Sequence, residues 1–205
     1  MKYYAVKKDS GNAIYTSWDE CKSAISGEKG VKYKSFSTLD EAKAYLEDSD
    51  IWKETIANDI KNGFVVSFCD GSFDRSLKRY SYGAVIIDLN FNEHFINGYG
   101  DNEKYLSSHN VAGEVFGVLN SLDWAKKNGC KKIKIYHDYN GLSKWVMGEW
   151  KANSDIAKTL KKEFEDNYKN EMEVVFEKVK GHSNNKYNDK ADALAREALK
   201  SIKYL

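Results

Sequence analysis

The order of predicted elements between residues 63 and 200 constrains the fold most strongly. Three strand-forming runs follow one another without an intervening helical pattern: FVVSFCD, YSYGAVIIDL and EHFINGYG. They are followed by a helix in VAGEVFGVLNSLDWAKKNG, a strand in KKIKIYHD, two helical segments, a strand in MEVVFEKVKG and a last helix. Consecutive strands form antiparallel hairpins, whereas strands joined through helices pair in parallel. We therefore predict an α/β domain with a mixed five-stranded sheet and flanking helices.

A smaller unit precedes this domain. KYYAVKK, AIYTSW and VKYKSF predict strands, and SWDECKSAI and STLDEAKAYLED predict helices capped by Ser17 and by Ser37 or Thr38. The polar, weakly periodic segment that follows ends at Gly63, so we expect a linker with one helical turn. The predicted organisation is a small α+β domain over 1–46, a linker over 47–62 and the larger domain over 63–205.

Composition excludes several classes of protein. A hydrophobic fraction of 41% argues against wholesale disorder, and a net charge of +1 argues against a strongly basic nucleic-acid coat. Cys21, Cys69 and Cys130 are odd in number and form no CxxC, so neither a zinc site nor a disulfide framework is expected. Without a signal peptide or an apolar run near the ~18 residues of a membrane span, we expect a cytoplasmic protein with no membrane contact.

Four acids fall at the ends of predicted elements. Asp70 and Asp138 each close a strand, and if those strands are parallel neighbours their carboxylates emerge at one edge of the sheet. Glu114 falls in the first turn of a helix, and Asp192 in the first turn of the last helix, for which Asn188 is the predicted N-cap. Converging carboxylates repel one another unless cations neutralise them, and oxygen ligands without Cys or His favour Mg²⁺ or Mn²⁺. Two such ions, about 4 Å apart, suit hydrolysis of a phosphodiester.

The motifs around these acids resemble those of the type 1 ribonuclease H family. They are DGSF after a strand, NVAGEV opening a helix, YHDYNG after a strand, and VKGHSNNKYNDKADALAREA, and the resemblance covers residues 63–200. It implies a ribonuclease H fold and hydrolysis of the RNA strand of RNA/DNA hybrids, leaving 3′-hydroxyl and 5′-phosphate ends. It also implies two Mg²⁺ ions, for which Mn²⁺ can substitute, bound by Asp70, Glu114, Asp138 and Asp192.

The resemblance extends to residues around the acids. His182 matches the family's mobile histidine, which assists metal exchange or product release, and Asp189 stands where Glu is usual. The family often has a second Asn where this chain has Val111, and Ser-Gln where it has Tyr139 and Asn140. These departures concern residues expected to contact substrate and leave the four acids unchanged.

Four residues are expected to contact substrate in this domain: Gly71, Ser72, Asn110 and Asn140. Asn110 and Asn140 could read the RNA 2′-hydroxyl and minor-groove edges, the feature that distinguishes RNA from DNA. Gly71 would let a nucleic-acid backbone approach closely.

Residues 3–46 resemble the hybrid-binding domain related to the viroplasmin N-terminus. This implies binding of an RNA/DNA hybrid through Trp18, Tyr33, Lys34 and Phe36, with double-stranded RNA as a second candidate partner. Aromatic rings would stack on bases or pack against sugars while lysine neutralises phosphate. Phe36 fits a core position equally well. We expect the protein to be a monomer.

Two other functions fit part of the pattern. A non-catalytic hybrid- or duplex-RNA-binding protein would use the nuclease fold as a scaffold, but the presence of all four acids argues against it. Integrase or resolvase chemistry would keep the fold and act on DNA, but the KGH loop and the N-terminal module argue against that. Replacing Asp70 with Asn tests the first alternative, and a DNA-duplex substrate tests the second.

Overall fold

The computed structural model describes residues 2–8, 10–179 and 185–201, without the side chains of 47–51. It divides into two compact units, Met1–Thr55 and Ile56–Leu205. The strands are β1 (Tyr3–Lys7), β2 (Ala13–Tyr15), β3 (Lys32–Phe36), β4 (Val65–Asp74), β5 (Arg79–Ile87), β6 (Glu93–Gly100), β7 (Lys132–His137) and β8 (Glu173–Lys178). The helices are α1 (Trp18–Ile25), α2 (Leu39–Lys61), α3 (Glu103–Leu106), α4 (Asn110–Lys127), α5 (Gly141–Val146), α6 (Asp155–Asn167) and α7 (Lys186–Lys200). Within the described ranges, no helix is both long enough and apolar enough to cross a membrane.

The N-terminal unit is built on a three-stranded antiparallel sheet in the order β2-β1-β3. Its small core contains Ala5 from the central strand and Ala42 and Tyr45 from α2. Ser17 caps α1, as predicted, by accepting a hydrogen bond from the N–H of Asp19 at 3.2 Å. The predicted order of two strands, a helix, a strand and a helix agrees with the structure.

Helix α2 corrects the secondary structure expected for the linker. It runs from Leu39 to Lys61 and therefore covers nearly all of the segment 47–62, where one turn was predicted. Its start is a reciprocal capping box in which Thr38 Oγ1 accepts from the Glu41 N–H and Glu41 Oε2 accepts from the Thr38 N–H, at 3.3 and 3.1 Å. Ile56 and Ile60, near its end, are buried. The helix was not predicted from the sequence because its apolar residues show no strong amphipathic period. Burial of a few apolar residues in the tertiary structure stabilises it instead.

The larger unit contains the predicted mixed five-stranded sheet, in the order β6-β5-β4-β7-β8. The β4–β5 and β5–β6 pairs are antiparallel, whereas β4–β7 and β7–β8 are parallel. The parallel register places Val65 opposite Ile133 and Phe68 opposite Tyr136. The condition on which the carboxylate prediction depended, parallel pairing of β4 with β7, is therefore met.

Alternate residues of β5 face different helices. Tyr80 stacks on Phe116 of α4 with ring centroids 5.2 Å apart, while Ser81 donates a hydrogen bond to the Ala195 carbonyl of α7 at 2.7 Å. Since side chains alternate across a strand, α4 and α7 cover opposite faces of the sheet. The two helices that carry Glu114 and Asp192 thus approach the central strands from both sides.

Helix α7 begins earlier than predicted. Asn185 is the N-cap, and its Oδ1 accepts from the N–H groups of Tyr187 and Asn188 at 2.9 and 3.4 Å. Asn188, the predicted cap, lies inside the helix and is buried. Asp192 is consequently one turn further into its helix than expected, and Glu114 likewise lies beyond the first turn of α4 because that helix starts at Asn110.

Candidate metal centre

The two strand acids leave neighbouring parallel strands at the same level. Pairing between β4 and β7 ends where Phe68 lies opposite Tyr136, and Asp70 and Asp138 each follow two residues later. Asp138 directly follows β7, as predicted. Asp70 does not end its strand, because β4 continues to Asp74 in its pairing with β5. Asp70 lies just past the part of β4 that pairs with β7, so the two acids still lie at the same edge of the sheet.

Glycines bring the two helix acids close to the sheet. A Cβ atom on Gly71 would overlap the Asn110 carbonyl oxygen and the Glu114 backbone nitrogen, and it would lie 2.8 Å from the Gly113 carbonyl carbon. On β5, a Cβ atom on Gly83 would overlap the backbone of α7 and lie 2.6 Å from the Ala195 nitrogen. Helices α4 and α7 therefore pack directly onto strand backbone.

This packing gives Gly71 a structural role. The space beside its Cα is filled by α4, so the residue must be glycine to admit that helix. The close approach of a nucleic-acid backbone at Gly71 stays a prediction.

The four acids interact electrostatically and are called the acid cluster here. Burial, reinforced by the charges of Asp138 and Asp70, raises the pKa of Glu114 to about 9. Burial and the charge of Asp138 raise the pKa of Asp70 to about 7, against the lowering effect of the Gly71 N–H, and Asp192 adds to the rise. Each acid is thus within electrostatic reach of another, which is the mutual repulsion that a bound cation would relieve.

The donor set fits a hard divalent cation. It consists of carboxylate oxygens, and Glu114 is 3% exposed with its Oε2 atom buried and without a hydrogen-bond partner. A buried carboxylate oxygen in that state is costly unless a ligand engages it. Mg²⁺ and Mn²⁺ prefer such oxygen ligands.

The side chains are not drawn together into a closed coordination shell. Across the residues the structure describes, no three Asp, Glu, His or Cys side chains are grouped tightly enough to hold one ion. Asp70 Oδ1 accepts from the Gly71 N–H at 2.7 Å, and Asp192 Oδ1 accepts from Arg196 Nε at 2.8 Å. Binding a cation would therefore rotate these two carboxylates away from protein partners. Sequence analysis missed Arg196, although its i,i+4 spacing from Asp192 is the signal for such a pair.

The other expected site residues lie close to the four acids along the chain. Asn110 is the exposed first residue of α4, and the exposed Asn140 follows Asp138 without a side-chain capping bond. Ser72, two residues after Asp70, is half-buried, and Asp189 is exposed in the first turn of α7. His182 lies outside the described residues.

His137 is adjacent to Asp138 in sequence but lies in the interior. It is buried and meets the Phe176 ring edge-on, with centroids 5.9 Å apart. Burial lowers its pKa to about 4, so its imidazole is neutral at physiological pH. This interior position indicates a structural role.

In the N-terminal unit, three of the four expected hybrid-binding residues lie at the surface. Trp18 is 41% exposed and Tyr33 49% exposed, with their ring centroids 5.5 Å apart, and Tyr4 also contacts Trp18, with centroids 5.6 Å apart. Lys34 is exposed on the same strand as Tyr33. Phe36 instead packs on Tyr45 at 5.3 Å, which assigns it to the small core.

The fold is that of ribonuclease H domains, and comparison with known proteins identifies the family. Residues 62–200 match the RNase H family and residues 2–46 match the ribonuclease H1 N-terminal domain. The chain belongs to the ribonuclease H family and is a ribonuclease H enzyme.

Three similar proteins illustrate this relationship. A ribonuclease H of Syntrophomonas wolfei is 28% identical over 159 residues, which cover 67% of this chain and 97% of the relative. A ribonuclease H of Wolbachia pipientis is 30% identical over 146 residues, which cover 66% of this chain and 94% of the relative. The crystal structure of LC11-RNase H1 in complex with RNA/DNA hybrid superposes with a TM-score of 0.54 at 16% identity, covering 67% of this chain and 98% of that one. At that identity the structural likeness concerns the fold.

Proposed function

We propose that this protein is an endoribonuclease that hydrolyses the RNA strand of RNA/DNA hybrids and leaves 3′-hydroxyl and 5′-phosphate ends. The observation that carries the proposal is the electrostatic cluster of four acids, with the raised pKa of Glu114 and its unpartnered buried oxygen at the centre. The hybrid bound by LC11-RNase H1, a protein of the same fold, supports the choice of substrate.

Asp70, Glu114, Asp138 and Asp192 would hold two Mg²⁺ ions, for which Mn²⁺ can substitute. Bound there, the ions supply an activated water and stabilise charge on the scissile phosphate and the leaving oxygen. The chain contributes the placement of the four carboxylates: two come from the parallel strands β4 and β7, and two from helices that pack onto the sheet at Gly71 and Gly83. Glu114 must lose its proton to bind a cation, and its raised pKa makes that loss depend on the cation's charge.

Asn110 and Asn140 are proposed to contact the RNA 2′-hydroxyl and minor-groove edges, and Ser72 the substrate backbone. Both asparagines are exposed and next to the acid cluster in sequence, which supports this role. His182 is proposed to assist metal exchange or product release. Gly71 contributes by admitting α4 to the sheet.

The N-terminal domain, residues 1–46, is proposed to bind the hybrid duplex and to raise its local concentration at the nuclease domain over 63–205. The exposed pair Trp18 and Tyr33 offers ring faces for sugars or bases. Lys34, the next residue of the same strand, is exposed and offers a cation for phosphate. Double-stranded RNA is a second ligand proposed for this domain. We propose that the protein works as a monomer.

A cleavage assay with end-labelled RNA tests the function. We expect cutting of the RNA strand in an RNA/DNA hybrid with Mg²⁺, no cutting with chelator, and no cutting of double-stranded RNA or of DNA. Inactivity on the hybrid at every Mg²⁺ and Mn²⁺ concentration would contradict the proposal. Cutting of a DNA duplex would favour the alternative in which the same fold acts on DNA.

The matched variant is Asp70→Asn, which keeps the size of the side chain and removes its charge. We expect cleavage to fall by about a thousandfold or more while hybrid binding, measured by fluorescence anisotropy, is retained. Asp74→Asn on the same strand serves as the control, because Asp74 lies beyond the acid cluster and caps the turn after β4.

A further inference from the structure

Asp59 is a buried acid in the segment that sequence analysis assigned to the linker. It lies in the last turns of α2, before the residues that match the nuclease family, and it is 3% exposed. Its Oδ1 accepts a hydrogen bond from Lys134 Nζ, and its Oδ2 accepts one from the Tyr136 hydroxyl at 2.6 Å. Both oxygens are therefore engaged by strand β7, which ends at the residue before Asp138.

The ring of Tyr136 connects β7 to the neighbouring strand, β4. Its ring stacks on Phe68 with centroids 4.8 Å apart and planes 13° apart, and Phe68 stacks on Tyr187 of α7 at 5.3 Å and 22°. Asp138 follows Tyr136 by two residues, and Asp70 follows Phe68 by two. Because side chains alternate along strands, Asp70 leaves β4 on the same face as Phe68, and Asp138 is the first residue after β7.

The bonds to Asp59 fix the position of this stack. A buried carboxylate that loses its partners carries a large desolvation cost, so the two bonds stabilise the packing of the last turns of α2 on β7. The hydroxyl bond sets the in-plane position of the Tyr136 ring, and close stacking carries that position to Phe68. A change at Asp59 thus displaces the strand segments that present Asp70 and Asp138.

We propose that Asp59 is a positioning residue of the acid cluster, acting through Tyr136 and Phe68, and that the last turns of α2 are a working part of the nuclease domain. This inference rests on the proposed function, since it gives Asp59 a role in placing the carboxylates of the proposed metal site. It extends that domain upstream of the family match, which begins at residue 62.

Two variants of the full-length chain test the inference. Asp59→Asn removes the charge, and Tyr136→Phe removes one hydroxyl and keeps the ring stack. Mg²⁺ affinity is measured by isothermal titration calorimetry, and kcat and KM on the hybrid are measured separately. We expect Asp59→Asn to weaken Mg²⁺ binding and to lower kcat by about tenfold or more, as the loss of supporting partners does at other metal sites, with KM unchanged. Tyr136→Phe should act in the same direction, by about threefold.

Two controls separate positioning from stability. Ile60→Ala removes buried apolar surface from the same helix end, and Lys132→Met removes the exposed ion pair with Glu173 from the same strand. Ile60→Ala should lower the melting temperature yet leave Mg²⁺ affinity unchanged below it, and Lys132→Met should change neither.

The outcomes distinguish this inference from the proposed function. If the wild type cleaves hybrid while Asp59→Asn and Tyr136→Phe bind Mg²⁺ as Ile60→Ala does, positioning by Asp59 is refuted and the function stands. If Asp59→Asn fails to fold, unchanged Mg²⁺ affinity in Tyr136→Phe refutes it equally. A wild type that binds no Mg²⁺ contradicts the proposed function and this inference together.

Discussion

A side chain at Gly71 would overlap the backbone nitrogen of Glu114. Strand β4 and helix α4 are in backbone contact there, one residue after Asp70. Gly71→Ala should therefore push α4 from the sheet, because the overlapping atoms belong to backbone that cannot rotate away. We expect a loss of about 3 kcal/mol in the free energy of unfolding, measured by urea denaturation, and loss of cleavage activity.

Gly117→Ala is the matched control for this packing. It lies on the same helix, but a Cβ atom there would meet the Cys69 side chain at 3.3 Å, which a small shift can relieve. It should cost far less than Gly71→Ala. Equal stability of the two variants would show that the contact at Gly71 does not limit how α4 approaches the sheet.

The acid cluster predicts that the metal-free protein loses stability as pH rises. Burial and neighbouring charge raise the pKa of Glu114 to about 9 and that of Asp70 to about 7 in the folded state. The unfolded chain gives up these protons at a pH of about 4, so folding binds protons and stability falls from there through the folded pKa values. In chelator, urea denaturation should give a lower free energy of unfolding at pH 8.5 than at pH 5.5.

Glu114→Gln should flatten this dependence, because the amide stays neutral at both pH values. We expect it to stabilise the metal-free protein at pH 8.5 by about 2 kcal/mol. Glu171→Gln, which changes an exposed acid, should leave the dependence as in the wild type. If the stability of Glu114→Gln depended on pH as strongly as that of the wild type, the raised pKa of Glu114 would be contradicted.

Removing a ring of the exposed pair in the N-terminal unit should weaken binding of the hybrid without slowing the chemical step. Trp18→Ala removes the larger ring, and since stacking on a base is worth about 1–3 kcal/mol, KM for the hybrid should rise by about tenfold with kcat unchanged. Steady-state kinetics at two salt concentrations measures both constants.

Phe91→Ala is the comparison for Trp18→Ala. Phe91 is a more exposed ring in the larger unit, between β5 and β6. It should leave KM unchanged. A KM unaffected by Trp18→Ala would remove the exposed rings from the proposed binding surface.

The strands and their order could be predicted because their signals are local. Apolar strand runs and turn residues are visible within about ten residues. Parallel pairing of β4 with β7 is a long-range relationship, which the sequence analysis could state only as a condition and which the structure supplies. The N-cap of α7 could not be settled in this way. Asn185 and Asn188 are equally good caps by propensity, and burial of Asn188 decides between them.

The burial of Asp59 and the packing at Gly71 could not be predicted for a different reason. Asp59 is buried because of Lys134 and Tyr136, some seventy-five residues later, and a polar segment without those partners is typical of a linker. Gly71 has the spacing of a glycine that admits substrate, and the helix that fills its space is identified by three-dimensional packing.

The central claim is that Asp70, Glu114, Asp138 and Asp192 bind divalent cations together. Titration of the full-length protein with Mn²⁺, followed by the electron paramagnetic resonance signal of the free ion, tests it most directly. The account predicts saturable binding by the wild type and affinity weakened by about tenfold or more in Asp70→Asn and in Asp192→Asn. Binding of equal affinity and stoichiometry in the wild type and both variants would contradict it.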